Sequence, residues 1–173
     1  MARPAPQTEL AVLGALSIAP MSGYRLRAEI RDTLGHFWTE SFGQIYPTLS
    51  RLESSALVGR DDAGRFTITD DGLARLRDLL RTPPESGPPR DGLLLRLFFG
   101  RRIGRQACLD LLAETEQQVT RSLAELAAVR ATLDPTDPDE RYALLTLSAG
   151  VHRGRALLAW ATESREAIAS WAD

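Results

Sequence analysis

Residues 81–92 read RTPPESGPPRDG, a stretch with four prolines, two glycines and no apolar side chain other than proline. Proline deletes backbone donors, glycine adds chain entropy, and nothing here can be buried to offset ordering. The stretch is therefore read as a linker, which obliges residues 1–80 and 93–173 each to build a core of their own. With 173 residues and 43% apolar side chains, two small domains are within reach.

The first part reads as three helices, a hairpin and a further helix. TELAVLGALSI (8–18) is apolar on most sides, as a buried helix would be, and Pro20 stops it. Ser22 is placed to cap GYRLRAEIRDTL, with Tyr24, Leu26, Ile30 and Leu34 as inward positions and Gly35 as the stop. In SFGQIYPTLSRLE (41–53), Ser41 and Gln44 are spaced as a capping box. Ile45, Leu49 and Leu52 share one arc of that helix, whereas Gln44, Pro47, Ser50 and Arg51 lie opposite. Leu57-Val58 and Phe66 to Thr69 flank Asp61-Asp62-Ala63-Gly64, a hairpin pattern, and Thr69-Asp70-Asp71-Gly72 opens a helix through Leu80. Three helices followed by a two-stranded hairpin is the order of a winged helix-turn-helix. The fold class is thus mostly α, α+β only by its wing.

Beyond the linker, DGLLLRLFFGRR reads as a short, very apolar helix. The next predicted helix, 105–133, carries Leu109, Leu112, Glu116, Val119, Leu123, Leu126, Arg130 and Leu133 at alternating steps of three and four. This stripe of the coiled-coil type needs another helix against it, and Leu109, Leu112, Val119, Leu123, Leu126 and Leu133 are its candidate dimerisation residues. Asp137-Pro138-Asp139-Glu140 supplies a cap, an N1 proline and a capping-box glutamate for a last helix to about Trp171. One short and two long helices make a thin layer, so residues 93–173 are read as a helical dimerisation domain.

Several classes of function find no support. The net charge is −2, so nucleic-acid binding has to rest on a local patch. His36, His152 and the single Cys108 have no metal-ligand spacing, and there is no phosphate loop, no GxSxG and no paired carboxylates suited to acid–base work. No enzyme, cofactor or metal is expected. No apolar run reaches a membrane span and no signal peptide is seen, so the expected location is cytoplasmic, without membrane contact. All 21 basic residues are arginine, with neither lysine nor asparagine present, which points to a GC-rich bacterial gene.

The motifs Met21 to Leu26 (MSGYRL), Phe37-Trp38, Ser41 to Glu53 and Phe66 to Gly72 (FTITDDG) resemble the PadR family of bacterial transcriptional regulators. LLLRLFFGRR (93–102) and RYALLTLSAG (141–150) are similar to the helical C-terminal domain of its shorter members. The resemblance implies a homodimeric winged-helix repressor on a two-fold symmetric double-stranded operator, the third helix in the major groove and the wing along the backbone. It assigns Gln44, Tyr46 and Ser50 to the recognition helix and Tyr24 to the supporting helix. The residue chemistry agrees: a glutamine amide at a helix N-terminus can pair with adenine, and the hydroxyls and guanidinium of Tyr46, Ser50 and Arg51 suit bases or phosphates. Arg25, Ser41, Arg60 and Arg65 complete the candidate DNA-contacting set, whereas Arg27 and Arg31 read as ordinary surface charge.

Two departures from the family pattern stand out. The wing is short, with Asp61 and Asp62 at its tip where relatives usually carry a longer, more basic loop, and Ala56 replaces the usual glycine after the recognition helix. Phe37 and Trp38 read as core. Phe98, Phe99 and Trp160 read either as core or as a surface for a small hydrophobic or aromatic effector, the ligand class that the resemblance implies. The alternative function is a winged-helix scaffold for protein contacts, its acidic wing having lost affinity for phosphate.

Overall fold

The structure, a computed structural model, describes residues 6–38, 43–84 and 91–171. The chain forms two compact units, Met1–Ser86 and Gly87–Asp173.

In the first unit, α1 (Pro6–Ile18) is the central element, with Val12, Leu13 and Leu16 almost wholly buried, as an all-round apolar helix requires. Next, α2 (Gly23–Glu29) starts at Ser22, whose Oγ accepts from the Arg25 N–H at 3.2 Å. At Ile30 it widens into one π-helical turn, Ile30–Leu34, capped by Gly35. Leu26 and Ile30 point inward, but Tyr24 is 79% exposed, against the expectation that it faces the core.

The third helix, α3 (Ile45–Ser54), buries Ile45, Thr48, Leu49 and Leu52. Thr48 joins the predicted arc because it lies three residues from Ile45 and four from Leu52. Gln44 is itself the N-cap and makes no side-chain capping bond, so the expected capping box is not the device that starts the helix. Ser41, its other half, lies outside the described residues. Pro47 sits at the third helical position, where a missing N–H leaves no intrahelical bond unmade.

A two-bond reverse turn ends α3. The N–H groups of Ala56 and Leu57 donate to the carbonyls of Glu53 and Leu52, both at 3.0 Å, and Ala56 takes φ +55°. This pattern places glycine at the position Ala56 occupies. A left-handed conformation costs a non-glycine residue about 1–2 kcal/mol. Ala56→Gly should therefore raise stability by about 0.5–1 kcal/mol once the extra freedom of the unfolded glycine is subtracted, read as a higher urea midpoint at unchanged slope. A lower midpoint would remove strain as the explanation.

The wing is β1 (Val58–Arg60) paired antiparallel with β2 (Phe66–Ile68), in the register Val58 to Ile68 and Arg60 to Phe66. Gly64 closes its turn at φ +71°. Met21 and Phe66 exchange backbone hydrogen bonds at 3.0 and 2.8 Å, tying the start of α2 to the wing. The unit ends with α4 (Asp70–Arg81), whose cap Thr69 accepts from the Gly72 N–H at 3.0 Å. A Cβ on Gly72 would lie 2.0 Å from the Leu57 carbonyl oxygen, so only glycine lets α4 start this close to the wing.

Arg81 closes α4 and Asp91 caps the next helix, so the proposed linker 81–92 has helical residues at both margins. Its residues 85–90 lie outside the described ones.

In the second unit, α5 (Gly92–Phe98) and a 3-10 turn, Gly100–Arg102, precede α6 (Arg105–Ala131) and α7 (Pro138–Ser170). The two long helices run antiparallel. Cys108 and Leu112 pack with Ala161 and Ile168, while Leu126 reaches Gly150. Arg105 donates to the Trp171 carbonyl at 3.1 Å and to that of Ala169, satisfying the C-terminal end of α7. The stripe on α6 therefore finds its partner helix within the same chain: Leu112, Val119 and Leu126 are buried, Leu109 and Leu123 are half-buried, and Leu133 lies past the helix end. That corrects the expectation that the stripe as such is the dimer seam. Glu116, the polar member of the stripe, takes Thr162 at 3.0 Å and Arg165 from α7. Asp137 caps α7 through the Asp139 and Glu140 N–H groups, but the Glu140 carboxylate bonds the Asp134 N–H, so it does not complete a capping box.

Candidate nucleic-acid interface

With its apolar arc sunk in the first unit, α3 offers water its other side. Gln44 and Ser50 are exposed and Tyr46 is 46% exposed, so one helix face carries an amide, a phenol and a hydroxyl. The two hydroxyl-bearing residues are four apart and the amide opens the helix, all within the reach of one major-groove insertion. Tyr24 stands exposed on α2.

The arginines of the candidate set are all paired with carboxylates. Arg25 meets Glu29 at 3.1 Å, one turn along α2. Arg60 bonds Glu53 of α3 at 2.7 Å and lies 4.0 Å from the centre of the Phe66 ring, so it also fastens the wing to the helix. Arg65 pairs with Asp61 at 2.7 Å. Asp61 is a turn-former, its Oδ1 accepting from the N–H groups of Ala63 and Arg65, and the Arg65 side chain holds its carboxyl below the usual carboxylate range. One of the two aspartates at the wing tip is thus spent on the wing itself. Ion pairs this exposed contribute little to stability, so Arg25, Arg60 and Arg65 can trade a carboxylate for a phosphate at little cost.

Arg51 differs. Its Nη2 donates to Glu9 Oε2 at 2.7 Å, and Arg75 of α4 donates to Glu9 Oε1 at 2.7 Å. The Glu9 side chain is only 9% exposed. Burial opposes its ionisation, but the hydrogen bonds from Arg75 and Arg51 outweigh that and leave its pKa below the ordinary value. Arg51 therefore turns toward α1 and α4, contrary to the expectation that it joins the outer face, and it ties α3 to the body of the unit.

Among the aromatic candidates, Trp38 packs on the core and donates to Gln7 at 3.2 Å, while Phe37 is half exposed. Phe98 and Phe99 are 81% and 58% exposed, so neither is core in this chain, and Trp160 packs on the Cys108–Leu112–Ala161 cluster. The structure sets Phe98 edge to face on Phe99, ring centroids 5.0 Å apart, and lines neither of two apolar clefts with Phe98, Phe99 or Trp160. One cleft, of about 750 Å³, lies in the first unit, among Leu10, Ile18, Leu34, Phe37, Trp38 and Leu80. A smaller one of about 330 Å³ lies in the second, among Val119, Leu123, Leu126, Gly150, Gly154 and Leu157. Neither was legible in the sequence, because each is lined by side chains that periodicity marks simply as core.

A helix with a buried apolar arc and a polar outer face, backed by two helices and followed by a short hairpin, defines a winged helix-turn-helix regulator. Residues 12–78 match the Transcriptional regulator PadR-like family and residues 89–169 match Virulence activator alpha C-term. The match to the PadR-like family thus falls on the N-terminal unit. The chain is 26% identical over 166 residues to the negative transcriptional regulator PadR of Bacillus subtilis, covering 87% of this chain and 91% of that one. The B. subtilis PadR crystal structure with p-coumaric acid is similar at TM-score 0.79 and 26% identity, over 94% of this chain and 98% of that one. The structure of the same protein with operator DNA is similar at TM-score 0.77 and 25% identity, over 92% and 98%. No helix among the described residues is long and apolar enough to cross a membrane.

Proposed function

We propose that this chain is a transcriptional repressor that binds a two-fold symmetric operator as a homodimer and leaves it when a small hydrophobic or aromatic molecule binds. The observation that carries the reading is the outer face of α3, where Gln44, Tyr46 and Ser50 are exposed on a helix whose opposite side is buried. Such a helix presents its N-terminal residues to base edges. The similarity to a PadR that is known with operator DNA and with p-coumaric acid supports both partners. Gln44 and Tyr46 supply the sequence-reading contacts, and Arg25, Arg60 and Arg65 reach phosphate by exchanging their exposed carboxylate partners.

Dimerisation is supported by apolar surface that one chain leaves uncovered. Leu95 and Phe98 on α5, and Tyr142 and Leu145 on α7, are each more than 60% exposed. A second copy is the economical cover for such a surface. Leu95→Asp with Phe98→Asp should convert the dimer to a monomer in sedimentation, with helix content kept because neither side chain is in the core. A dimer of unchanged strength would place the interface elsewhere.

A mobility shift on the DNA upstream of the chain's own gene, at low and moderate salt, tests the reading as a whole. A complex that survives moderate salt on that duplex, is absent on unrelated DNA and is released by p-coumaric acid or a related aromatic is the expected result. Equal, salt-sensitive binding to both duplexes favours the scaffold instead.

A further inference from the structure

Tyr46 does not simply project from the recognition helix; its ring lies across the start of α2. A Cβ built on Gly23 would meet Tyr46 Cε1 at 2.9 Å and Cδ1 at 3.7 Å, and Phe66 Cε2 at 3.6 Å. Phe66 is buried and is tied to Met21 by reciprocal backbone hydrogen bonds. The ring of Tyr46 thus rests on bare backbone, at a corner where α2, α3 and the wing are already fixed relative to one another. Gly23 lies in the first turn of α2 with an ordinary helical conformation, so backbone freedom is not why glycine stands there. Space is the remaining reason.

We propose that Gly23 is a positioning residue for operator recognition: by lacking a Cβ it forms the seat that sets the place of the Tyr46 phenol. The inference rests on the reading of the outer face of α3 as the DNA-contacting surface. Alanine at position 23 forces a shift, and the ring is what gives, because it is the outer end of a side chain whereas the α2 backbone is held by the Ser22 cap and the Met21–Phe66 bridge. Alanine also suits a helix better than glycine does, so the fold should gain while recognition loses. A merely structural glycine would show the two changes with the same sign.

The test uses the full chain and a duplex that the wild type recovers from a randomised library, with binding followed by fluorescence anisotropy. Gly23→Ala should keep or raise the melting temperature and weaken binding roughly ten-fold, the scale of one misplaced base contact. In a Tyr46→Ala background the same change should alter affinity by less than about two-fold, since the ring it displaces is gone. Wild-type affinity in Gly23→Ala overturns the proposal, and so does an equal loss in both backgrounds, which would show that Gly23 acts on something other than Tyr46. If the wild type enriches no sequence at all, the DNA reading falls and the proposal with it, an outcome distinct from the other two.

Discussion

Glu9→Ala should destabilise the first unit by about 2–4 kcal/mol, a large part of the total stability of a domain this size. The carboxylate is nearly buried and both of its oxygens are used, one by Arg51 of α3 and one by Arg75 of α4. Its removal leaves two guanidinium groups without a counter-charge. Both are more than a third exposed, and water can solvate them in part, which sets the estimate at or below the usual cost of breaking a buried pair. Glu9→Gln keeps one acceptor oxygen and should fall between wild type and alanine. Urea denaturation followed by circular dichroism measures the difference; a loss below about 0.5 kcal/mol would mean that the ion pairs are no stronger than exposed ones.

The same carboxylate gives the unit a pH dependence of known sign. Its folded pKa is depressed, so its stabilisation is complete above the ordinary value of 4.5 and drains away as pH falls below that value, through the folded pKa. In that acidic window the wild type should lose stability with a steeper slope than Glu9→Gln.

Much of this fold could be read from the chain because its signals are local. The arc of Ile45, Leu49 and Leu52, the cap at Ser22, the turn at Asp61 to Gly64 and the cap at Asp137 each depend on residues within one or two turns of one another. The outer face of α3 was legible for the same reason, since it is what remains when the buried arc is removed. What could not be read depends on pairings across the chain. Arg51 and Glu9 are 42 positions apart, and no spacing distinguishes an arginine that faces water from one that bonds a buried glutamate. The stripe on α6 announced that it needed a partner helix but not which one, and α7 of the same chain supplies it. The outward direction of Tyr24, by contrast, follows from its place two residues before the buried Leu26, on the opposite side of the helix.

The second large effect belongs to the outer face of α3. Gln44→Ala and Tyr46→Ala should each cost about 1–3 kcal/mol in specific binding, which is roughly five-fold to over a hundred-fold in affinity. Both side chains lie outside the core, so the circular dichroism spectrum and the melting temperature should stay at wild-type values. Binding to unrelated DNA should hardly change, because neither residue carries charge. Arg51→Ala should behave in the opposite way, losing stability through Glu9 before it loses any contact with DNA.

The most direct test is to titrate the full chain onto the duplex it selects from a randomised library, with the Gln44→Ala/Tyr46→Ala double variant measured beside it. Two protomers should bind each duplex, and the selected site should have two inverted halves, their centres about one helical turn, roughly 34 Å, apart. The folded double variant should lose selectivity while keeping its weak, salt-sensitive affinity for any DNA. A double variant that binds the selected duplex as tightly as the wild type would contradict sequence reading by the outer face of α3.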